Sequence, residues 1–211
     1  MFFLISFSSG NGKGDACELD EDGDGIPNIL DNCPNNSMIY ATDFRSFRSV
    51  ILDPEGESQA DPHWVVLANG SEITQTLNSD PGLVVGQDAF GGVDYFGTLF
   101  VNTHSDDDYV GFMFSYQSNR KFYVVMWKKK NQKYWIKKPF VANGKSGLQI
   151  KLIDSETGPS KTLGVALWHA ATTNKQTKLL WIDPKNQGWI PKVPYRWHLI
   201  HRPAIGLIRV K

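Results

Sequence analysis

The sequence predicts an all-β sandwich preceded by an irregular arm that calcium organises. Three observations carry this. From residue 44 onward, short runs rich in Val, Ile, Phe, Tyr and Trp alternate with breaks such as Asp53-Pro54, Asp61-Pro62 and Asp80-Pro81-Gly82, and no helical period is sustained. The formal net charge of zero hides a division: residues 1–43 hold eight acidic residues and one basic one, Lys13, so an arm at −7 precedes a body at +7. Within that arm the acidic residues follow the spacing of a calcium loop. The 211-residue chain is 41% hydrophobic, enough for one large core plus an appendage.

The arm comes first. Residues 20–31 read D-x-D-x-D-G-x-x-x-x-x-D, with Asp20, Asp22 and Asp24 at positions 1, 3 and 5 of a twelve-position loop. The Ile26 carbonyl falls at position 7, Asn28 at 9 and Asp31 at 12. Gly25 occupies position 6, where the chain must turn sharply and a Cβ is costly. Four carboxylates this close repel one another unless a cation sits among them. An acidic turn without metal would share the composition but not the order of ligands. Paired EF-hands join their loops by backbone bonds near position 8, and here that position is Pro27, which has no N–H. Asn32-Cys33-Pro34 follows where a helix would be needed, so this is a calcium loop outside the EF-hand scaffold.

A degenerate half loop precedes it, with Asn11 at position 5, Asp15 at 9 and Glu18 at 12. Phe7 and Ser9 would stand at positions 1 and 3, so weak or no calcium binding is expected there. The two cysteines, Cys17 and Cys33, both lie in the arm and suit an oxidising compartment; spacing alone leaves their pairing open. Sequons at Asn35 and Asn69 mark candidate glycosylation sites consistent with secretion. Residues 1–9 are apolar without a basic n-region and read as disordered or artefactual; no segment long enough to cross a membrane follows.

Strands are expected at 47–52, 63–68, 72–77, 83–86, 94–102, 109–117, 121–129, 133–138, 147–154, 177–182, 194–201 and 205–210, with one short helix over 161–169. Phe122–Trp127 is apolar on both faces and reads as a central strand covered above and below. Lys128–Lys138 reads as a lysine-rich hairpin arm.

Several segments carry a resemblance to a known family. They include Gly14-Asp15-Ala16-Cys17, Asp31-Asn32-Cys33-Pro34, Asp61–Val66, Asn78–Leu83, Asp106–Tyr109, Phe122–Trp127, Ala166–His169 and Tyr195-Arg196-Trp197 with His201-Arg202-Pro203. From Gly12 onward the chain resembles the end of a thrombospondin: the last type 3 calcium-binding repeat (10–43) running into the lectin-like C-terminal domain (44–211). The resemblance implies a jelly-roll, concanavalin-like sandwich and an extracellular, calcium-loaded adhesion module. It also implies contacts with cell-surface receptors such as integrins, with collagen and other matrix proteins and with glycosaminoglycans, and a homo-oligomeric parent joined by an upstream coiled coil. Family chains continue beyond the strand at 205–210, so the sandwich is expected to be truncated, and the family's cysteine pairing would leave Cys17 and Cys33 without their partners. No nucleic-acid partner and no membrane insertion are expected.

Further candidates follow from particular residues. Lys128, Lys129, Lys130, Lys133, Lys137 and Lys138, with Tyr134 and Trp135 among them, could hold a glycosaminoglycan, or could be a solvated edge that discourages sheet pairing. Lys13-Gly14-Asp15 stands where some family members carry an integrin-binding Arg-Gly-Asp, although Asp15 also fits the half loop. Asp106, Asp107 and Asp108 are a second calcium candidate; on a strand their side chains would alternate faces. An enzyme is not expected, because no paired-carboxylate strand pattern or histidine ligand spacing occurs, and His198 and His201 should face opposite ways. A calcium-dependent sugar-binding lectin is the alternative function.

Overall fold

The computed structural model describes residues 18–29, 31, 37, 41–55 and 60–211. A 3-10 turn at Phe44–Ser46, capped by the Asp43 carboxylate, leads into the body. There follow β1 (Arg48–Ile51), β2 (Trp64–Leu67), β3 (Glu72–Gln75), β4 (Gly82–Val85), β5 (Val93–Leu99), β6 (Tyr109–Ser118), β7 (Lys121–Lys128), β8 (Gln132–Lys133), β9 (Asn143–Gly144) and β10 (Gly147–Asp154). Helix α1 (Lys161–Trp168), β11 (Thr177–Ile182), β12 (Tyr195–Arg202) and β13 (Leu207–Val210) complete the chain.

Two antiparallel sheets form the sandwich, one in the order β11-β10-β7-β6 and the other β13-β12-β5. Alternation along each strand decides what meets between them. Phe112 and Phe114 of β6, Tyr123 and Val125 of β7, and Leu148 and Ile150 of β10 face Val93, Tyr95, Trp197, Leu199, Ile208 and Val210. The Phe112 and Trp197 rings stack with centroids 3.8 Å apart. His201 points into this interior against Phe114, whereas His198 stacks on Phe96 outside, so the two histidines do face opposite ways.

The larger sheet is covered on its other face too. Phe122 and Ile153 pack there against Leu163 and Leu167 of α1 and against Val50 and Leu52 at the β1 end. This double cover explains the unbroken apolar run of β7; each such side chain taken fully out of water contributes about 1.5–3 kcal/mol. Ser160 caps α1, accepting from Leu163 N. At the other end, the Lys151 ammonium of β10 donates to the Leu167 and His169 carbonyls at 2.6 and 2.8 Å. Burial pushes that ammonium down to about 7.

One expected strand is replaced. Residues 134–138 leave the sheet after Lys133 because Tyr134 and Ile136 turn inward onto Ala142 and Val165, making the segment a loop packed on α1.

Candidate metal centres

The calcium loop is built from local hydrogen bonds. Asp20 accepts from Gly23 N and Gly25 N, both at 2.9 Å, while Asp22 accepts from Asp24 N and Asp24 from Ile26 N. Gly25 has φ +90, a conformation that a side chain would strain. These turns draw one carboxylate oxygen from each of Asp20, Asp22 and Asp24 to within 4.8 Å of one another, the only such acidic group of three or more among the described residues. Oxygens on Asp22 and Asp24 are shielded from water and accept no hydrogen bond. Three converging carboxylates, two of them with an unused oxygen, fit a hard divalent cation such as calcium. Asp31 is 1% exposed at the loop's end. Asn28 uses its side-chain oxygen to accept from Glu21 N, tying the loop across itself.

A second acidic pair was not evident from sequence. The β1–β4 register sets Ile51 opposite Gly82, and Leu52 N donates to Pro81 O, so Asp53 and Asp80 end the pair side by side. Both are 1% exposed, and all four of their carboxylate oxygens are buried without a hydrogen-bond partner. Burial, with Asp53 and Asp61 nearby, pushes the Asp80 carboxyl up to about 6, and burial followed by Glu55 raises that of Asp53. Opposed buried carboxylates of this kind are costly, and a cation between them removes the cost. The sequence offered Asp53-Pro54 and Asp80-Pro81 only as turn punctuation.

The other candidates fare differently. Asp107 pairs with Lys130 at 2.6 Å, Asp108 faces Lys128 at 3.7 Å, and Asp106 accepts from Asp108 N. The three carboxylates thus have separate partners, and their oxygens are not drawn within 4.8 Å of one another as those of Asp20, Asp22 and Asp24 are. The lysine cluster divides as well. Lys128 is fully buried over the Trp168 ring and donates to Asp107 O, and Lys129 donates to His104 O and Asp106 O. Both fasten the acidic loop, and Lys128, being fully buried, is not available to a surface ligand. Lys130, Lys133, Lys137 and Lys138 are exposed, as is Trp135. The signal that was missed is the alternation along β7, which puts Lys128 on the same face as buried Phe122. Glu18 lies beside the main loop, where its backbone carbonyl accepts from the Asn28 amide. Asn11, Lys13, Gly14, Asp15, Cys17, Cys33 and Asn35 fall outside the described residues.

Residues 59–211 match the thrombospondin C-terminal region, and residues 8–40 match the thrombospondin type 3 repeat. The chain belongs to the thrombospondin family. Human thrombospondin-3 is 56% identical over 182 residues, which cover 86% of this chain and 19% of that relative. Human cartilage oligomeric matrix protein is 56% identical over 179 residues, covering 85% and 24%. Zebrafish (Danio rerio) thrombospondin-4-B is 57% identical over 173 residues, covering 82% and 18%. The chain therefore spans about a fifth to a quarter of these relatives' length. These thrombospondins are secreted matrix proteins whose type 3 repeats bind calcium, and the chain is an extracellular calcium-binding region of that kind. No described helix is long and apolar enough to cross a membrane.

Proposed function

We propose that this chain is a calcium-fastened adhesion module, in which bound calcium stiffens the arm and seats it on the sandwich. The observation that carries this is the convergence of Asp20, Asp22 and Asp24, with unused oxygens on Asp22 and Asp24, in an arm whose Glu21 and Asn28 share a cleft with Asp94, Phe96, His198 and Arg202 on the outer sheet face. Asp20, Asp22 and Asp24 hold the ion in the arm, with Asp31 and the Ile26 carbonyl completing its shell; Asp53 and Asp80 hold a second in the body. Calcium here supplies charge neutralisation and cross-linking, and no bond-making step. The partners are cell-surface receptors such as integrins, collagen and glycosaminoglycans, the last met by Lys130, Lys133, Lys137 and Lys138 beside Trp135. A solid-phase assay tests the reading, with the chain captured on fibrillar collagen, heparin and cells in calcium, in chelator, and as the Asp20→Ala, Asp22→Ala variant. Calcium-dependent capture lost in the double variant is expected. Capture indifferent to both changes overturns it, and binding only to defined glycans selects the lectin alternative.

A further inference from the structure

We propose that Asn69 carries an N-linked glycan on the tip of the β2–β3 hairpin. Asn69-Gly70-Ser71 is an N-x-[ST] acceptor, and the hairpin, with Trp64 opposite Gln75 and Leu67 opposite Glu72, lifts it to the end of a two-stranded ribbon. The Asn69 side chain is exposed and makes no hydrogen bond to any described residue. Gly70 is buried at φ +100, where an added Cβ would meet the Asp43 carboxylate at 2.5 Å, so the central residue turns inward and leaves the asparagine outside. The tip thus has room for a bulky sugar beside Leu67, which is 45% exposed. A glycan there shields that leucine and obstructs the free edges of an isolated two-stranded sheet, an arrangement otherwise open to pairing with another chain.

The Ser71 hydroxyl donates to Ala68 O at 2.9 Å in the closed turn. The transferase must read that hydroxyl, so attachment takes place on the growing chain before the hairpin closes, and the closed hairpin then accommodates the sugar. The step joins Asn69 Nδ2 to the anomeric carbon of a lipid-linked oligosaccharide, breaks that carbon's bond to the pyrophosphate carrier, and passes the amide proton to the departing phosphate. The inference rests on the extracellular location and is independent of which partner is bound.

The test is peptide mapping of the full chain made in the secretory pathway of cultured eukaryotic cells. Peptide-N-glycosidase in heavy-oxygen water should convert Asn69 to labelled aspartate in most molecules, and a control without enzyme separates spontaneous deamidation at Asn-Gly. Ser71→Ala should abolish the label while Ser71→Thr retains it. Because a variant could fail to be exported, the same mapping is made on chains translated into microsomes, where folding and export do not matter. Export is scored separately and bears on the location. Unlabelled Asn69 in both preparations overturns the site, as does a label that survives Ser71→Ala.

Discussion

Asp53 and Asp80 show how two side chains that look ordinary in a list of residues become a site when a strand pair closes. All four of their carboxylate oxygens are buried, and the charge of Asp53 raises the Asp80 carboxyl. Asp80→Asn is expected to act in opposite directions: it removes repulsion and so raises stability in chelator, and it lowers the stabilisation gained on adding calcium. A ligand at about 100 times its dissociation constant stabilises by about 2.7 kcal/mol. Thermal unfolding in chelator and in calcium should show that increment shrinking by a large part. His201 gives a second residue-level expectation. Burial, and then Arg202, holds its imidazole below the usual value near 6.5, so the unfolded chain takes up the proton first. Stability contributed by neutral His201 is therefore lost as pH falls from about 6.5 toward the lowered folded value. Urea unfolding at a series of pH values should show a shallower acid loss in His201→Phe than in the unchanged chain. The arm's ligands were legible because Asp20, Asp22 and Asp24 are neighbours in sequence. Asp53 and Asp80 were not, because only the β1–β4 register brings them together.

Among the elements, β7 is a strand with cover on both faces, one of them supplied in part by α1. The apolar run Phe122–Trp127 announced a strand covered twice, and the structure puts the two sheets' shared interior on one side and α1 on the other. What that run did not announce is that the covered face also takes polar residues: Lys128 of β7 and Gln149 and Lys151 of β10 are all buried there. Lys151 terminates α1 by satisfying two of the carbonyls that a helix end leaves open. Lys151→Met should leave both carbonyls unpartnered and cost about 1.5–3 kcal/mol, read as a lower urea midpoint with an unchanged slope. The segment after β7 misled for a related reason. Its alternation of Tyr134 and Ile136 with lysines has the period of a strand, yet the surface those two side chains bury against is a helix and a loop. A period of two records which residues turn inward, and says nothing of whether a neighbouring strand is there to pair.

At the scale of the whole molecule, the described arm is held mainly by turns around Asp20, Asp22 and Asp24, whereas the body has a core between two sheets. Chelation should loosen residues 18–31 first. Limited proteolysis in chelator should cut the arm before the body, and near-ultraviolet circular dichroism from the Phe112–Trp197 stack should persist while it does so. Arm cleavage that is the same with and without calcium would sink this order of events. The sandwich itself was legible from strand texture and from the resemblance; its pairing was not, since β5 finds β12 across nearly half the chain. That pairing has a consequence during synthesis. β5 is complete at residue 99, and its partner does not begin until residue 195. At ordinary elongation rates the ribosome needs on the order of 5–20 s to cover that interval. For that time Phe112, Phe114, Tyr123 and Val125 emerge with no second sheet to close over them, which makes the nascent chain a client for chaperones until β12 arrives.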